Sequence, residues 1–519
     1  MTLLHHWLSA HAQSTPDLTA VIEPKGTITY GQLERLANRV GHALLNAGVA
    51  RGDRVVLALE NSIPFIAAYF GILKAGAVAV PLPPGAKNDR LEAALDGCEP
   101  AACIVDGATF DAIEKATAFR GMRVAMVLEE RGARRVPGIA VTSLTGVLEA
   151  AGSESDPLAP SDEKDLAAII YTSGSTGEPR GVMLSHLNFV SNARSIVQYL
   201  ELTAADRVMV VLPFYYVYGL SLLHTHVAVG GSLVLDNRFA FPNVVLRAME
   251  EHAASGFAGV PSTFAILLHR SNLAGASLKA LRYVTQAGGP MPPALLQKWL
   301  EILPDVPFFV MYGATEAAAR LSYLPPSEVR RHLGSIGRAI PGVQLRVLTD
   351  EGREATVGEV GEIVASGPNI SPGYWNCPEE TCERFGPDGF RTGDLGFADA
   401  DGYLHVVGRR HDMIKVGAHR VAAREIEDVL HEHPAIHEAA VVGESHPLLG
   451  EAPVAHVAVR DGSAIDGAEV IAACRARLPE HKVPTRVVFH VELPKTFSGK
   501  IAKDALRRDP VSEISPRGV

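Results

Sequence analysis

Residues 171–186 read "YTSGSTGEPRGVMLSH", and their types point to phosphate chemistry. Thr172, Ser173, Ser175 and Thr176 supply hydroxyls, while Gly174 and Gly177 permit positive φ and close approach of a ligand to the backbone. Successive N–H groups in such a loop can surround phosphate oxygens, and Arg180 adds a planar fork of charge. The spacing is not that of a Walker A loop, because G-x-x-x-x-G-K-[ST] is absent. A surface linker would share the composition. Against a linker stand the apolar run before the loop, "LAAIIY", and the helix-capping chemistry after it, with Ser185 as N-cap of a helix beginning near Leu187.

A loop of this kind needs a sheet to hold it, and the sequence supplies one. The runs 54–60, 77–82, 166–173, 207–213, 232–236, 257–261, 282–289 and 308–313 read as strands. Several are apolar throughout, as expected of strands covered on both faces. Helical patterns lie between them; Leu33, Leu36, Ala37, Val40 and Leu44 share one helical face. The alternation predicts an α/β fold with parallel-rich sheets, whose ligand sites sit at the carboxyl ends of strands. From about residue 340 to 408 the pattern turns to β-type alternation with Gly turns, and a small α/β segment follows from 409 to 519. The expected organisation is therefore a large N-terminal domain, 1–408, with a β-rich subdomain over 340–408, and a small C-terminal domain, 409–519.

Composition narrows the function classes. The chain of 519 residues is 47% hydrophobic and carries a net charge of −10, which disfavours nonspecific nucleic-acid or anionic-membrane binding. The N-terminus lacks the basic and apolar regions of a secretory signal. No apolar run reaches the ~18 residues that would span a bilayer. The five cysteines are scattered without C-x-x-C spacing, so free thiols in a reducing cytoplasm are expected, and Cys377 with Cys382 lacks the companion pair of a zinc site.

The loop at 171–186 closely resembles the phosphate-loop signature of the adenylate-forming superfamily of acyl-CoA synthetases, adenylation domains of peptide synthetases and luciferases. Further signatures follow in order: "ITYGQLERLANRV" (28–40), "GILKAGAVAVPLPP" (71–84), "LPFYYVYGL" (212–220), "QAGGP" (286–290), "YGATE" (312–316), "YWNCPEETCERF" (374–385), "RTGDLG" (391–396), "GRRHDMIKVGAHRVAAREIE" (408–427) and "LPKTFSGKIAKDALR" (493–507). The resemblance implies attack of a carboxylate on the α-phosphate of ATP, release of pyrophosphate, and transfer of the acyl group to the thiol of CoA or of a carrier-protein phosphopantetheine. It implies that Lys500, on a mobile C-terminal lid domain, stabilises the transition-state charge. Asp394 and Arg409 would hold the ribose, Glu316 with Thr176 would hold Mg²⁺, and Thr315 would meet the α-phosphate. Tyr312, Gly313 and Ala314 would flank adenine, and Gly288, Gly289 and Pro290 would form a backbone wall shared by adenine and acyl group. Arg180 stands where the family most often has Lys. His411 stands at the hinge, where Asp or Lys is usual, and its reference pKa near 6.5 would make switching pH-sensitive.

Tyr216 falls where family members place the residue that gates the carboxylate. Members that adenylate α-amino acids carry an Asp just after it; here the residue is Val217, and 207–235 contains no acidic residue. A buried ammonium without a partner is costly, so the expected substrate lacks an α-amino group. Tyr215 and Tyr218 suggest a compact, aromatic or hydroxylated acid. A stand-alone adenylating enzyme that loads an acid or an amino acid onto a free-standing carrier protein stays open as an alternative. So does a catalytically silent nucleotide-binding regulator, although Lys500, Glu316 and Asp394 are all present.

Overall fold

The computed structural model describes residues 2–85, 89–115, 121–128, 136–150, 154–157, 159–173, 179–417, 419–460, 463, 465–494 and 501–508. The chain divides into two compact units, one from residues 1–172, 179–345 and 365–390, the other from 346–364 and 391 onward. No helix among the described residues is long and apolar enough to cross a membrane.

Two sheets organise the first unit. One has the order Gly373–Tyr374, Pro179–Ser185, Leu166–Ser173, Val78–Pro81, Arg54–Ala58, Ala102–Val105, Val124–Val127, Ala140–Ser143. From Val78–Pro81 to Ala140–Ser143 its neighbours pair in parallel. The other runs from Phe308–Tyr312 through Tyr283–Gln286, Gly256–Gly259, Arg207–Val210 and Ser232–Leu235 to Thr19–Glu23, again in parallel. All eight apolar runs picked out of the sequence are strands. Their continuous apolar character has the expected cause: Val78–Pro81, Ser232–Leu235, Gly256–Gly259 and Tyr283–Gln286 are buried along their whole length. The equally buried strands Ala102–Val105 and Val124–Val127 are not among the runs read from the sequence.

Helices cover these sheets. Tyr30–Asn46 buries Leu33, Ala37, Val40 and Leu44, and its start is closed by a reciprocal cap between Thr29 and Gln32. It crosses the buried helix Ile63–Lys74 so closely that a Cβ on Gly71 would lie 2.7 Å from Val40 Cβ. Lys74, at the end of that helix, is 1% exposed, and its ammonium is neutralised by Glu34 at 2.7 Å and Asp156 at 2.9 Å.

In the second unit, Gly389–Ala398 and Leu404–Arg409 form an antiparallel ribbon. A further sheet has the order His419–Ala422, Met413–Val416, Gly450–Val459, Ile436–His446, with Arg486–His490 parallel to Gly450–Val459. Helices Ala423–His431 and Gly467–Arg475 pack on it around Ile414, Ile426, Val441, Val457 and Val470. The α/β architecture inferred from the sequence is the one observed, a large part with parallel-rich sheets and a smaller α/β part at the C-terminal end.

Candidate active site

The phosphate-type loop joins the strand Leu166–Ser173 to the strand Pro179–Ser185. Gly174, Ser175, Thr176, Gly177 and the side chain of Ser173 lie outside the described residues, as does Lys500. The helix beyond the loop is firmly anchored. Ser185 caps the helix His186–Leu200 in a reciprocal pair with Asn188, and the helix starts one residue earlier than the sequence suggests. Asn188 also donates to the carbonyls of Pro368 and Ile370, tying the helix start to the segment that leads into Tyr374.

Four side chains gather beside the loop exit. Arg180 Nη2 pairs with Glu380 Oε1 at 2.5 Å, and its guanidinium lies 6.0 Å from the Tyr374 ring. The Tyr374 hydroxyl donates to Glu316 Oε1 at 2.8 Å. Burial, and then the Glu316 carboxylate, push the Tyr374 hydroxyl well above the usual phenol range, so it stays a donor at neutral pH. Glu316 is half-buried, and its second oxygen is the one a hard divalent cation would take. That carboxylate is a hard donor of the kind Mg²⁺ takes, and the other candidate donor, Thr176, lies outside the described residues.

Glu316 rides on a tight turn. The strand Phe308–Tyr312 ends at Gly313, where a Cβ would fall 1.8 Å from the Ala319 carbonyl oxygen, so no larger residue fits. Thr315–Ala317 forms one 3₁₀ turn, and Ala318 (φ 52°) and Ala319 (φ 120°) then take left-handed backbone geometry that non-glycine residues rarely adopt. Two asparagines hold this strained segment. Asn192 and Asn369 each donate to both the Ala317 and the Arg320 carbonyls, at 2.9–3.3 Å. Tyr312 and Ala314 pack against the small core of Ala317, Leu321, Ala365 and Phe390. Gly288, at φ 83°, Gly289 and Pro290 follow the strand Tyr283–Gln286 as an exposed turn, braced by Gln286 Nε2 donating to the Gly289 carbonyl at 2.8 Å.

The acid-site stretch forms the start of the helix Val217–Val229, with Tyr216 at its N-cap. The Tyr215 and Tyr216 rings lie 4.7 Å apart, and burial together with that neighbour raises the Tyr216 pKa. The approach is fixed by Asn61, whose side chain donates to the Leu212 carbonyl at 2.9 Å and accepts from the Phe214 N–H at 2.8 Å. Val217 and Tyr218 are buried. The Tyr218 hydroxyl meets the Thr285 carbonyl at 3.0 Å, and its ring is covered by the Arg320 guanidinium at 4.1 Å.

In the second unit, Asp394 and Arg409 face each other across the antiparallel ribbon, with Arg409 Nε 3.0 Å from Asp394 Oδ1. Asp394 is buried, and its N–H is held by Thr392 Oγ1, which itself donates to the Ile363 carbonyl. The ribbon is followed by the 3₁₀ turn Arg410–Asp412. There burial lowers the His411 pKa against the opposing pull of Asp412, so its charged form is disfavoured at neutral pH. Asp412 accepts from Arg507 Nη2 at 2.8 Å, anchoring the helix Lys503–Arg508 just beyond Lys500. The ends of the segment that carries Lys500 are joined, since the Ala502 N–H donates to the Pro494 carbonyl at 2.7 Å.

Sequence reasoning singles out the chemistry-bearing residues but not those that hold them. Tyr374 lies inside a family motif that assigns it no role. Asn61, Asn192, Asn369, Arg320 and Asp412 give no pattern, because the groups they bind are set by folding and, for the asparagines, lie more than forty residues away in the chain.

Known proteins share the sequence family and the overall fold. Residues 8–375 match the AMP-binding enzyme family, and residues 425–500 match the AMP-binding enzyme C-terminal domain. The chain is 34% identical to a feruloyl-CoA synthase of an Amycolatopsis species, over 97% of this chain and 98% of that one. It is 32% identical to an indoleacetate–CoA ligase of Aromatoleum aromaticum over the same shares. Among solved structures, ATP-bound MatB from Rhodopseudomonas palustris superposes with a TM-score of 0.87 at 30% identity, covering 98% of this chain and 99% of the other. The anthranilate CoA ligase AuaEII in complex with anthranoyl-AMP also gives 0.87, at 27% identity, over 98% and 97%. The chain belongs to the AMP-binding enzyme family, as one of its AMP-forming acid–thiol ligases.

Proposed function

We propose that this ligase activates a compact aromatic carboxylic acid with ATP and passes the acyl group to coenzyme A. The observation that carries the acid class is the acid-site helix start. Tyr215, Tyr216 and Tyr218 crowd it, and Val217 stands where an ammonium-pairing acid would be needed. The relatives named for feruloyl and indoleacetate groups, similar along almost the whole chain, support both the aromatic acid and the CoA acceptor.

In this reading the Ser/Thr/Gly loop from Thr172 to Gly177 cradles the β- and γ-phosphates, and Arg180 leaves or shares Glu380 to meet them. Glu316, positioned by Tyr374, and the Thr176 hydroxyl hold Mg²⁺, which would neutralise phosphate charge. Thr315 meets the α-phosphate; Tyr312, Gly313, Ala314 and the 288–290 turn receive adenine; Asp394 and Arg409 take the ribose hydroxyls. Tyr216 gates the carboxylate. The domain from 409 to the end acts as a lid that turns at His411 and brings Lys500 onto the charge that shifts in the adenylating step. The thiols of Cys98 and Cys103, free and pushed by burial up to about 12, suit a reducing cytoplasm.

Pyrophosphate release with ATP and Mg²⁺ across arenecarboxylates, arylacetates, cinnamates, alkanoates and amino acids tests the reading. The aromatic acids should lead; release confined to amino acids or long alkanoates overturns the acid class, and no release with any acid favours a silent nucleotide-binding protein. Repeating the productive acids with CoA and with a phosphopantetheinylated carrier protein decides the acceptor. Lys500→Ala should abolish adenylation while ATP binding persists, and retained adenylation removes Lys500 from its role.

A further inference from the structure

One short segment of the first unit carries two groups that meet the candidate site. Gly373 and Tyr374 pair antiparallel with Met183 and Val182 on the strand that begins at Pro179 and Arg180, and the Trp375 N–H donates to the Gly181 carbonyl at 2.7 Å. The helix Pro378–Arg384 follows. Its place is fixed by Thr381, whose Oγ1 accepts from the Tyr374 N–H at 3.0 Å and donates to the Cys377 carbonyl at 2.7 Å. A Cβ on Gly373 would lie 2.3 Å from Thr381 Cγ2, so the helix sits hard against the strand. From this frame Tyr374 reaches Glu316, and Glu380 reaches Arg180.

The two neighbouring carboxylates of that helix are placed differently. Glu379 is exposed, while Glu380 is half-buried with Oε1 2.5 Å from Arg180 Nη2. The strand pairing, Trp375 and Thr381 set the backbone without help from this ion pair. Arg180 is itself half-buried at the exit of the Ser/Thr/Gly loop, where a cation calls for a counter-charge. A carboxylate and a phosphate offer a guanidinium the same kind of charge-assisted bond. A carboxylate built in at this place therefore occupies the guanidinium before a polyphosphate arrives and contests it afterwards.

We propose that Glu380 is a positioning residue that sets how firmly the enzyme holds polyphosphate. It keeps Arg180 at the loop exit, competes with the β- and γ-phosphates of ATP for the guanidinium, and takes it back as pyrophosphate leaves. The inference rests on the ligase reading above, in which Arg180 meets those phosphates.

Direct titration of the full chain with pyrophosphate, ATP and AMP, each with Mg²⁺ and without any acid, tests this before the acid substrate is identified. Glu380→Gln keeps the shape of the side chain and removes its charge. It should tighten pyrophosphate and ATP roughly 5–10-fold, the difference between a charge-assisted and a neutral hydrogen bond. AMP lacks the β- and γ-phosphates and should change by less than about twofold, below the value of one neutral hydrogen bond. Glu380→Asp should fall between wild type and Glu380→Gln, because the charge stays but is drawn back by one methylene. With an acid that supports turnover, Glu380→Gln should lower KM for ATP and make pyrophosphate a stronger product inhibitor, while KM for the acid holds. Unchanged or weaker pyrophosphate binding in Glu380→Gln, or an equal tightening of AMP, overturns the proposal and leaves the pair a structural brace. Wild-type enzyme that binds neither ATP nor pyrophosphate removes the ligase reading itself and this inference with it. Should Glu380→Gln not fold, Glu380→Asp decides by the same titrations.

Discussion

Tyr374→Phe isolates one atom of the site. The ring stays, with Phe385 edge-on at 5.5 Å and Arg180 at 6.0 Å, so no cavity opens. What goes is the hydroxyl that donates to Glu316 Oε1 at 2.8 Å. A hydrogen bond to a charged group is worth about 1.5–3 kcal/mol, and this one is only part-buried, so about 1.5 kcal/mol is the fair figure. That energy does two things. It contributes to folding, and it restricts the carboxylate to one orientation on a turn already strained at Ala318 and Ala319. Groups that orient a metal ligand in this way typically carry about 10–100-fold in metal affinity or activity.

The expected result is therefore about a tenfold loss in ATP–pyrophosphate exchange, with the Mg²⁺ activation curve displaced to higher concentration and KM for the acid little changed. Because burial and Glu316 together raise the Tyr374 pKa, the hydroxyl remains a donor across neutral pH, and the loss should be the same at pH 6.5 and pH 8.5. Exchange within a factor of two of wild type at every Mg²⁺ concentration would refute the claim that Tyr374 positions Glu316 (a factor of two is about 0.4 kcal/mol, below the value of even a neutral hydrogen bond). An unchanged Mg²⁺ curve with a raised KM for the acid would refute it differently, by moving Tyr374 to the other substrate.

The same geometry sets the outcome of other perturbations. Gly313→Ala drives a Cβ to 1.8 Å from the Ala319 carbonyl oxygen and should cost about 3 kcal/mol in denaturant unfolding, with loss of adenylation. Asn61→Ala frees the Leu212–Phe214 approach and should raise KM for the acid several-fold while KM for ATP holds. Burial lowers His186 and His226 to about 4 and His224 to about 3, so each is held neutral when folded and gains a proton on unfolding below its ordinary pKa of 6.5. Each therefore contributes stability that is present above pH 6.5 and falls by about 1.4 kcal/mol per unit as pH drops toward the folded value. The urea midpoint should drop steeply between pH 6.5 and 5, and equal midpoints at pH 7.5 and 5.5 would contradict the burial. Asp412→Asn removes the charge that holds Arg507, so amide exchange over 501–508 should quicken while 436–446 stays protected.

How far the sequence can be read depends on which chemistry is local. Strands of the parallel sheets declare themselves where four consecutive residues, as in Val78–Pro81, are all buried, and burial on both faces leaves no polar alternation to obscure the run. Ser185 is legible as a cap because its partner is three residues on. The motifs assign Asp394 and Arg409 to the same ligand but do not announce their direct ion pair, which needs the register of the ribbon Gly389–Ala398 with Leu404–Arg409.

The asparagines around the Glu316 turn show the limit most clearly. Asn192 lies on a helix and Asn369 on a loop, 177 residues apart in number, yet both close on the Ala317 and Arg320 carbonyls. An amide side chain bonding a backbone carbonyl imposes no residue type on its partner, so neither sequence position announces the other. The same logic applies to Arg320. A charged residue in an Ala-rich stretch reads as solvated, and only the fold shows that it is buried against Tyr218, with no acid beside it among the described residues. Motifs mark residues whose proposed chemistry needs particular types in a particular order. The residues that hold them need only geometry, which many residue types can supply from anywhere in the chain.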